Sequence, residues 1–422
     1  MFFTPFRIYI PISFSIFIEF LFQLKFMMKK SFNKKLALLF SLGFFWFCQQ
    51  KEAQFNSKEA LELRFEQLLN YKPDSLSFPR SFSVDKNEIN KVPSKDWTSG
   101  FYAGNLWQLY EITENSEYQK LAKQWTAFIE KEKFNAKTHD MGFKVFCSFG
   151  QGLKHNKNQH YKNVIVKSSQ TLISRYNDTV GSIRSWDFNK KRWDFPIIID
   201  NMMNLEMLFE ATKISKDSTF HKIAVTHANT TLKNHFRPDN SCYHVVDYNP
   251  KNGSIRMKVT HQGFNDASVW ARGQGWAIYG YTMAFRYTKD KKYLDQAEAT
   301  ANFYLDNKNL PKDGIPYWDF KDPEIPNAPR DVSAATVIAS AMVELYQFTK
   351  NEKYLDYSKK VINTLKSSEY ILESNIEAPF ILKHSTGNWP KNDEIDEPIV
   401  YGDYYFLETL LRLNKMENQD EK

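Results

Sequence analysis

The hydrophobic positions from about residue 55 onward follow a helical period, and one helical unit recurs four times. Each copy is a helix that ends in an aromatic or aliphatic pair and a threonine, followed by a short charged turn and an aromatic residue that opens another helix. The copies read LWQLYEITENSEYQKLA from Leu106, MLFEATKISKDSTFHKIA from Met207, AIYGYTMAFRYTKDKKYLDQA from Ala277 and MVELYQFTKNEKYLDYS from Met342. Such repetition predicts helical hairpins that bury their apolar faces against their neighbours.

The four units are spaced irregularly along the chain. The intervals between their threonines are 99, 76 and 61 residues, measured from Thr113 through Thr212 and Thr288 to Thr349. A closed ring of hairpins with loops of varied length fits this spacing better than an open array of identical repeats. We therefore predict an all-α fold with one catalytic domain over residues 55–415. The long insertions at 258–274 and 315–331 are rich in Trp, Tyr, Asp and Gly, a composition suited to loops that carry a site.

Residues 1–47 are predicted to be a targeting segment. From Met28, a basic start is followed by a short apolar run that ends at Cys48. This is the layout of a secretory signal, and it is too short and wrongly flanked for a membrane span. The cysteine indicates a lipoprotein of the bacterial periplasm or outer membrane, acylated at Cys48, with residues 48–54 as a linker. Residues 1–26 precede a candidate second start at Met27 or Met28 and are then a misassigned extension, and the alternative is that the whole apolar N-terminus stays as an anchor.

The charge balance does not indicate a nucleic-acid partner. The 422 residues include 56 basic and 49 acidic side chains, a net charge of +7, but residues 1–47 contribute +5 of it. The remainder is too small to indicate a polyanion-binding surface. Cys147 and Cys242 are predicted to be free buried thiols. No CxxC or HExxH pattern indicates a metal site, so no metal or cofactor is expected.

Asp200 follows directly on a wholly apolar run in FPIIIDNMMNLEMLFEATK, residues 195–213. One interpretation is a helix N-cap, because Asp readily accepts hydrogen bonds from first-turn N–H groups. The other is a general acid, because a carboxyl group in poorly hydrated surroundings has a raised pKa and keeps its proton near neutrality. The two interpretations shift the pKa in opposite directions, since N–H donors and the helix dipole favour the ionised form.

Three further motifs carry candidate site residues. His139 and Asp140 stand in THDMGF, where turn formation is the alternative explanation. HQGFNDASVWARGQGW, residues 261–276, combines amide, guanidinium and indole groups suited to a sugar acid, although a Trp-rich helix start can also simply pack. In DWTSGFYAGNLWQLYE, Trp97 is a third candidate, and Gly100 and Gly104 permit close approach of helices.

These motifs together resemble the unsaturated glucuronyl hydrolases, which act on products of polysaccharide lyases. The resemblance covers residues 55–412 and rests on WTSGFYAGNLWQLYE, HDMGF, DNMMNLEML, WARGQGWAIYGY and YGDYYFLE, in that order. It implies an (α/α)₆ barrel, a ring of six helical hairpins. It also implies that Asp200 is the catalytic acid and base and that Asp140 is the second catalytic aspartate. The substrate contacts it implies are Trp97, His139, His244, His261, Gln262, Trp270, Arg272 and Trp276.

The implied reaction is hydration of the C4=C5 double bond of an anionic unsaturated oligosaccharide, which releases the terminal uronic acid. An alternative within the same fold is hydrolysis of unsaturated galacturonyl-rhamnose. An alternative of another class is a non-catalytic glycan-binding lipoprotein, which would need neither aspartate. An epimerase on a similar ring would be expected to use paired histidines across the cavity.

Overall fold

Helices form most of the described part of the chain. A computed structural model describes residues 55–420, and the predicted signal segment 1–47, Cys48 and the linker to residue 54 lie outside them. The α-helices are α1 Ser57–Asn70, α2 Phe101–Thr113, α3 Ser116–Ile129, α4 Gln151–His155, α5 Gln159–Ile173, α6 Leu205–Ser215, α7 Ser218–Asn234, α8 Ala271–Thr288, α9 Lys291–Leu305, α10 Val332–Thr349, α11 Glu352–Leu365 and α12 Val400–Asp420. A π-helix, Gly142–Gly150, runs directly into α4.

The helices form two concentric rings, in which five hairpins each supply an inner and an outer helix, and α12 and α1, from the two ends of the described chain, supply the sixth inner and outer helix. The inner ring consists of α2, the π-helix with α4, α6, α8, α10 and α12. The outer ring consists of α3, α5, α7, α9, α11 and α1. The ring closes because α12 packs against both α10 and α2, while α1 lies against α2 and α3. The predicted (α/α)₆ barrel is confirmed, and it runs from α1 to the end of α12.

The turn between the paired helices has the same structure in all four recurring units. In the first, Glu114 adopts a left-handed conformation with φ 57°, and Asn115 then caps α3 by accepting a hydrogen bond from the N–H of Glu117 at 3.0 Å. The Thr113 hydroxyl oxygen accepts a hydrogen bond from the Asn115 N–H at 3.3 Å. The equivalent turns occupy 215–217, 288–290 and 349–351.

The turn in the second unit corrects the sequence-based alignment of the repeats. Ser215, and not Thr212, occupies the position of the hydroxyl that recurs in the four units, and its oxygen accepts a hydrogen bond from the N–H of Asp217 at 3.2 Å. Phe220 then stands five residues after the hydroxyl, as the aromatic residue does in the other copies. The repeat is therefore a hydroxyl residue, a left-handed residue and an Asn or Asp cap, in which serine can replace threonine.

Short strands lie in the loops at one end of the barrel, where the inner helices begin. The strands are β1 Phe78–Ser83, β2 Glu88–Val92, β3 Tyr176–Asn177, β4 Ser182–Ile183, β5 Phe195–Ile198, β6 Val245–Tyr248, β7 Ile255–Val259, β8 Ser385–Asn388 and β9 Asp393–Glu397. All pairing is antiparallel, and β5, β6 and β7 form a three-stranded sheet in that order. This end is called the loop end below, and the other end, where the inner helices stop, is called the turn end.

The inner helices approach closely at a small residue. A Cβ atom at Gly104 would collide with the backbone oxygen of Cys147 and with the ring of Tyr404. Because this position is glycine, α2 can lie against the π-helix and α12.

Cys147 and Cys242 are free and buried, as predicted. None of the helices within residues 55–420 is long and apolar enough to cross a membrane.

Candidate active site

A cavity of 480 Å³ opens at the loop end of the barrel and collects most of the predicted site residues. Its wall includes Trp97, His139, Asp140, Asp200, His261, Gln262 and Arg272. The wall as a whole comes from five separate stretches of the sequence, which lead into α2, the π-helix, α6, α8 and α12. The cavity is therefore assembled by the ring as a whole and does not belong to one hairpin.

Asp200 lies at the start of a 3₁₀ turn, Ile199–Asn204, that connects β5 to α6. The apolar run before it forms β5, a strand whose four residues are all buried. Asp200 is the second residue of this turn, whose N-cap is Ile198. Its Oδ2 atom is buried, has no hydrogen-bond partner within residues 55–420 and lies 3.7 Å from the His244 Nε2 atom. The N-cap interpretation is wrong, and the group is left free to face the cavity.

Asp140 lies two residues before the π-helix begins, and its surroundings differ from those of Asp200. Its Oδ1 atom is 3.1 Å from the His139 Nε2 atom, and the Thr138 hydroxyl donates to its Oδ2 at 2.5 Å. Lys144, on the first turn of the π-helix, is fully buried and forms an ion pair with Glu132 at 3.3 Å. Asp140 is therefore surrounded by donors and positive charge, and π-helical turns of this kind are frequent at functional sites.

Two polar residues fix the Asp200 segment against the Asp140 segment. The Oδ1 atom of Asn204 accepts hydrogen bonds from the N–H groups of Gly142, at 2.8 Å, and Phe143, at 3.2 Å. Ser185 forms a second bridge, since its backbone carbonyl oxygen accepts from the His139 N–H at 3.2 Å and its hydroxyl accepts from the Ile198 N–H at 3.0 Å. The relative position of the two aspartates is thus set by hydrogen bonds to rigid backbone on both sides.

The two carboxyl groups have pKa values that are displaced in opposite directions. Burial is the largest effect on Asp200 and raises its pKa to about 7; the negative charge of Asp140 adds to the increase, while His139 and Arg272 oppose it. Burial also raises the pKa of Asp140, but His139, Thr138 and Lys144 outweigh it, so the pKa of Asp140 lies below its usual value. A protonated acid and an ionised carboxylate therefore share one cavity near neutral pH, which is the arrangement expected for acid–base chemistry.

The histidines predicted to contact substrate divide between the cavity wall and the support behind it. His244 is buried, and its Nδ1 atom accepts hydrogen bonds from the N–H groups of His261 and Gln262, at 3.2 and 3.1 Å. Burial lowers the pKa of His244, so the ring is neutral and Nδ1 is free to accept. His261 and Gln262 line the cavity, and the Gln262 amide also donates to the Gly387 carbonyl at 3.1 Å. His244 positions these two residues and lies next to Asp200.

Arg272 links the cavity floor to the loop before α12. Its guanidinium donates to Asp331 at 2.6 Å and to the carbonyls of Thr386 and Gly387 at 2.7 and 2.6 Å. The group is 1% exposed and also lies over the rings of Trp270 and Tyr401. Most of its N–H donors are therefore occupied within the protein, and its contribution to an anionic ligand is mainly its charge.

The structure places two of the tryptophans predicted to contact substrate in the layer behind the cavity wall. Trp270 and Trp276 are 4% and 1% exposed and stand behind the cavity wall. Trp276 packs against Phe143 and Tyr405, because its position on the second turn of α8 faces the barrel core. Trp97 does line the cavity, packed against Phe143 and Tyr401. A tryptophan in a motif indicates an aromatic environment, but the motif does not show whether the ring lines the cavity or packs behind its wall.

Other residues of the cavity wall were not singled out from the sequence. They are Arg80, Lys137, Thr138, Ser185, Trp186, Asp187, Phe188, Asn388, Lys391, Asp393 and Tyr401. Tyr401 belongs to the YGDYYFLE motif, which therefore serves both as cavity wall and as the start of the closing helix α12. The stretch RSWDF before β5 has the aromatic and acidic composition of a site loop, and that composition is the signal that could have identified it.

Comparison with known proteins places this architecture in one family. Residues 77–312 match the model of Glycosyl Hydrolase Family 88. The chain is 62% identical over 366 residues to an unsaturated glucuronyl hydrolase of Formosa agariphila, covering 86% of this chain and 92% of the relative. It is 29% identical to an unsaturated chondroitin disaccharide hydrolase of Streptococcus pneumoniae, covering 82% of this chain and 88% of the relative.

A solved structure described as an unsaturated glucuronyl hydrolase specific for heparin is similar to the whole barrel. It matches with a TM-score of 0.82 and 40% sequence identity, over 86% of this chain and 96% of that chain. The resemblance stated from the ordered motifs is therefore confirmed over nearly all the described residues. The chain belongs to glycosyl hydrolase family 88.

Proposed function

We propose that this glycoside hydrolase removes the terminal 4,5-unsaturated uronic acid from lyase-generated oligosaccharides, with Asp200 as the general acid and base. The observation that carries the proposal is a buried carboxyl group with a pKa of about 7 that faces a cavity and has one oxygen without a partner. The relatives named above, which act on unsaturated glucuronyl and chondroitin substrates, support the substrate class.

The chemistry begins with the C4=C5 bond, which is an enol ether because C5 also bears the ring oxygen. The proton on Asp200 is transferred to C4, the π electrons form the new C–H bond, and positive charge develops at C5 and the ring oxygen. Water then adds to C5 and gives one proton back to the ionised Asp200. The resulting hemiketal opens at the bond between C5 and the ring oxygen, and the hemiacetal left at C1 collapses to release the next sugar as an alcohol. No net proton is gained or lost by the enzyme.

Asp140 has a separate role in this scheme. Held ionised by His139 and Thr138, it accepts hydrogen bonds from sugar hydroxyl groups and opposes ionisation of Asp200 by its own charge. The pair therefore differs from the two carboxylates of an ordinary glycosidase, which act on C1 and the glycosidic oxygen. Here one acid carries the proton in both directions, and the other positions the ring.

The loop end of the barrel is also suited electrostatically to a sugar acid. All six inner helical segments begin there, so their partial positive ends point toward the cavity. Arg272 adds a buried positive charge to the floor, and Lys137 and Lys391 add two more at the wall. Anions are stabilised in such a field, which favours the uronate carboxylate.

The test is a panel of unsaturated disaccharides, sulfated and plain, scored by the loss of the enol absorbance. The panel includes unsaturated galacturonyl-rhamnose alongside glucuronyl-terminated disaccharides from hyaluronan, chondroitin and heparin. We expect consumption of at least one glucuronyl-terminated member. Consumption of the galacturonyl-rhamnose substrate alone would assign the alternative activity, and binding of every member without loss of absorbance would indicate a glycan-binding protein.

We further propose that the protein is exported and anchored through Cys48. The basic and apolar order of residues 28–48, followed by polar residues, supports this placement. Expression of the full chain in a bacterial host with labelled palmitate is expected to label the membrane fraction. Cys48→Ser should abolish the label, and a wild-type protein that remains unlabelled in the cytoplasmic fraction would contradict the proposal.

A further inference from the structure

A second concave surface continues from the wall of the active-site cavity. It is a groove of 510 Å³ between the β4–β5 loop, residues 184–194, and the turn after β6. Trp186, Asp187 and Phe188 line both the groove and the cavity that contains Asp200. The two spaces therefore meet along one loop, and that loop leads directly into β5 and the catalytic turn.

The shared loop presents aromatic rings to solvent at the junction. Trp186 and Phe188 are stacked, with ring centroids 4.9 Å apart and planes inclined by 25°, and Phe188 is 49% exposed. Deeper in the loop, the Arg192 guanidinium lies 4.5 Å above the ring of the buried Trp193. Flat aromatic faces at a wet boundary can be covered by the C–H faces of sugar rings, which removes apolar area from water.

The groove carries two ammonium groups that lie outside its ion pairs. Its two acidic residues are already paired, Asp187 with Arg175 at 2.8 Å and Asp194 with Arg256 at 3.1 Å. Lys190 and Lys251 line the groove, are exposed, and form no ion pair with any residue in the described range, although the charge of Lys190 helps to lower the pKa of Asp187. The two ammonium groups thus flank the groove, one from the β4–β5 loop and one from the turn after β6.

We propose that this groove is a distal subsite for the sugars that follow the scissile bond, and that it binds a second anionic sugar of a longer oligosaccharide. The inference rests on the proposed function, because the unsaturated ring must lie at Asp200 for the remainder of the chain to leave through the junction. Only the terminal ring reacts, so the rest of the substrate has to extend out of the cavity. A chain that follows the shared wall passes the Trp186 and Phe188 rings and reaches Lys190 and Lys251. In this placement the two lysines contact sugars beyond the first two, so they are expected to act on a tetrasaccharide and not on a disaccharide.

The experiment compares an unsaturated disaccharide that the wild-type enzyme consumes with the tetrasaccharide from the same lyase digest. For the wild type, we expect a KM about 5- to 10-fold lower for the tetrasaccharide at low salt, with a similar kcat, and a smaller difference at high salt because exposed charges are screened. The double variant Lys190→Gln/Lys251→Gln should lose that advantage and keep the disaccharide kinetics within about twofold.

A matched control removes two lysines from the turn end of the barrel. Lys120→Gln/Lys353→Gln makes the same change in charge on α3 and α11, and it should keep the tetrasaccharide advantage. Equal KM values for the two substrates in the wild type, or an unchanged ratio in the Lys190/Lys251 variant, would overturn the subsite. Failure of the proposed function is distinguishable, because it would show as no turnover of any disaccharide.

Discussion

The two ends of the barrel enclose cavities of similar size, but the pKa of a carboxyl group is raised at one end and lowered at the other. At the loop end, the 480 Å³ cavity holds Asp200 with an unpartnered oxygen and a pKa of about 7. At the turn end, a cavity of 420 Å³ is also lined by carboxyl groups. There the pKa of the half-buried Glu206 is lowered, because Arg286, Lys154 and Arg412 outweigh the effect of burial.

The turn-end charges form a closed network. Arg286 contacts Glu206 at 2.9 Å and Glu344 at 2.8 Å, while Arg412 contacts Glu344 at 3.0 Å and Glu408 at 3.6 Å. These cations also stand where the inner helices end, which is the negative end of each helix dipole. Cavity volume and carboxyl groups therefore do not by themselves identify an active site. The difference lies in the pKa, which is raised for Asp200, whereas the cations of the turn-end network lower that of Glu206.

The largest expected effect is on turnover, and it distinguishes Asp200 from another buried acid. Asp200→Asn removes the transferable proton and should lower kcat by about 10³-fold, within the range that general acid–base groups supply. Asp403 is the matched control, since burial also raises its pKa to about 7. Its oxygens accept hydrogen bonds from the N–H groups of Ile381 and Leu382, both at 2.9 Å, so it anchors backbone.

The Asp403→Asn variant should therefore lose stability and keep its turnover. The amide retains one acceptor oxygen and turns its NH₂ toward a backbone donor, which costs about 1–3 kcal/mol in the free energy of unfolding. Initial rates per folded molecule, measured below the unfolding temperature, should match the wild type. Equal loss of kcat in the two variants would show that a raised pKa alone, and not the position in the cavity, governs activity.

The next effect is on the pH dependence of stability and activity. The pKa of Asp200 is about 7 in the folded state and about 3.9 in the unfolded chain, so between these values the folded state binds more protons. Stability must then fall as pH rises through this window, by on the order of 4 kcal/mol for this group. Asp200→Asn should lack this contribution, so its unfolding free energy should exceed that of the wild type increasingly from pH 4 to pH 7.

The pH dependence of activity should also be set by the loss of the proton from Asp200. Because the acid must be protonated in the free enzyme, kcat/KM is expected to fall about tenfold per pH unit above pH 7. Asp140→Asn removes a nearby negative charge that helps to raise the pKa of Asp200, so the alkaline limb of the residual activity should move to lower pH. A limb that stays in place would remove Asp140 from the electrostatic account of the site.

A smaller effect is expected from breaking the turn-end network. Glu344→Gln leaves Arg286 and Arg412 without their shared carboxylate and should cost about 2 kcal/mol, less than a fully buried pair because the Arg286 side chain is 33% exposed. Chemical denaturation measures this loss. The kcat of the folded variant should be unchanged, and a loss of more than tenfold would mean that the turn end takes part in the chemistry.

The smallest effect concerns the repeated turn. Asn115→Ala removes the side chain that caps α3 and should cost about 1 kcal/mol, as for other N-cap residues. Thermal unfolding measures the change, and turnover at 25 °C should be unaffected. A cost well below 0.5 kcal/mol would indicate that tertiary packing, and not the cap, fixes the hairpin.

The sequence predicted the ring and the two aspartates that line the cavity more fully than the rest of its wall. Hairpins are local, so their period and their Asn or Asp caps are visible in the order of residues. The role of Asp200 was left open by local pattern, because its first-turn position also suits a cap. Its burial and its unpartnered oxygen depend on β5, β6 and α8, which lie far apart in sequence.

The residues that were missed share a physical reason. Asn204 and Ser185 act by joining two segments, and a bridge of this kind is defined by both of its ends. Trp276 was expected in the wall but stands behind it, because it packs against Phe143 and Tyr405. Trp270 precedes α8 and packs against the ring of His244. Three-dimensional neighbours decide such roles, and an isolated motif does not contain them.

The central claim is that Asp200 delivers a proton to C4 before the glycosidic bond breaks. Proton NMR of the first turnovers in D₂O tests it directly on an unsaturated disaccharide. The predicted product has lost its C4=C5 double bond and carries one deuterium on a single face of C4, formed at the rate at which the disaccharide disappears, with Asp200→Asn forming none. Release of a free uronic acid that still holds its double bond, or deuterium spread equally over both faces of C4, would contradict it.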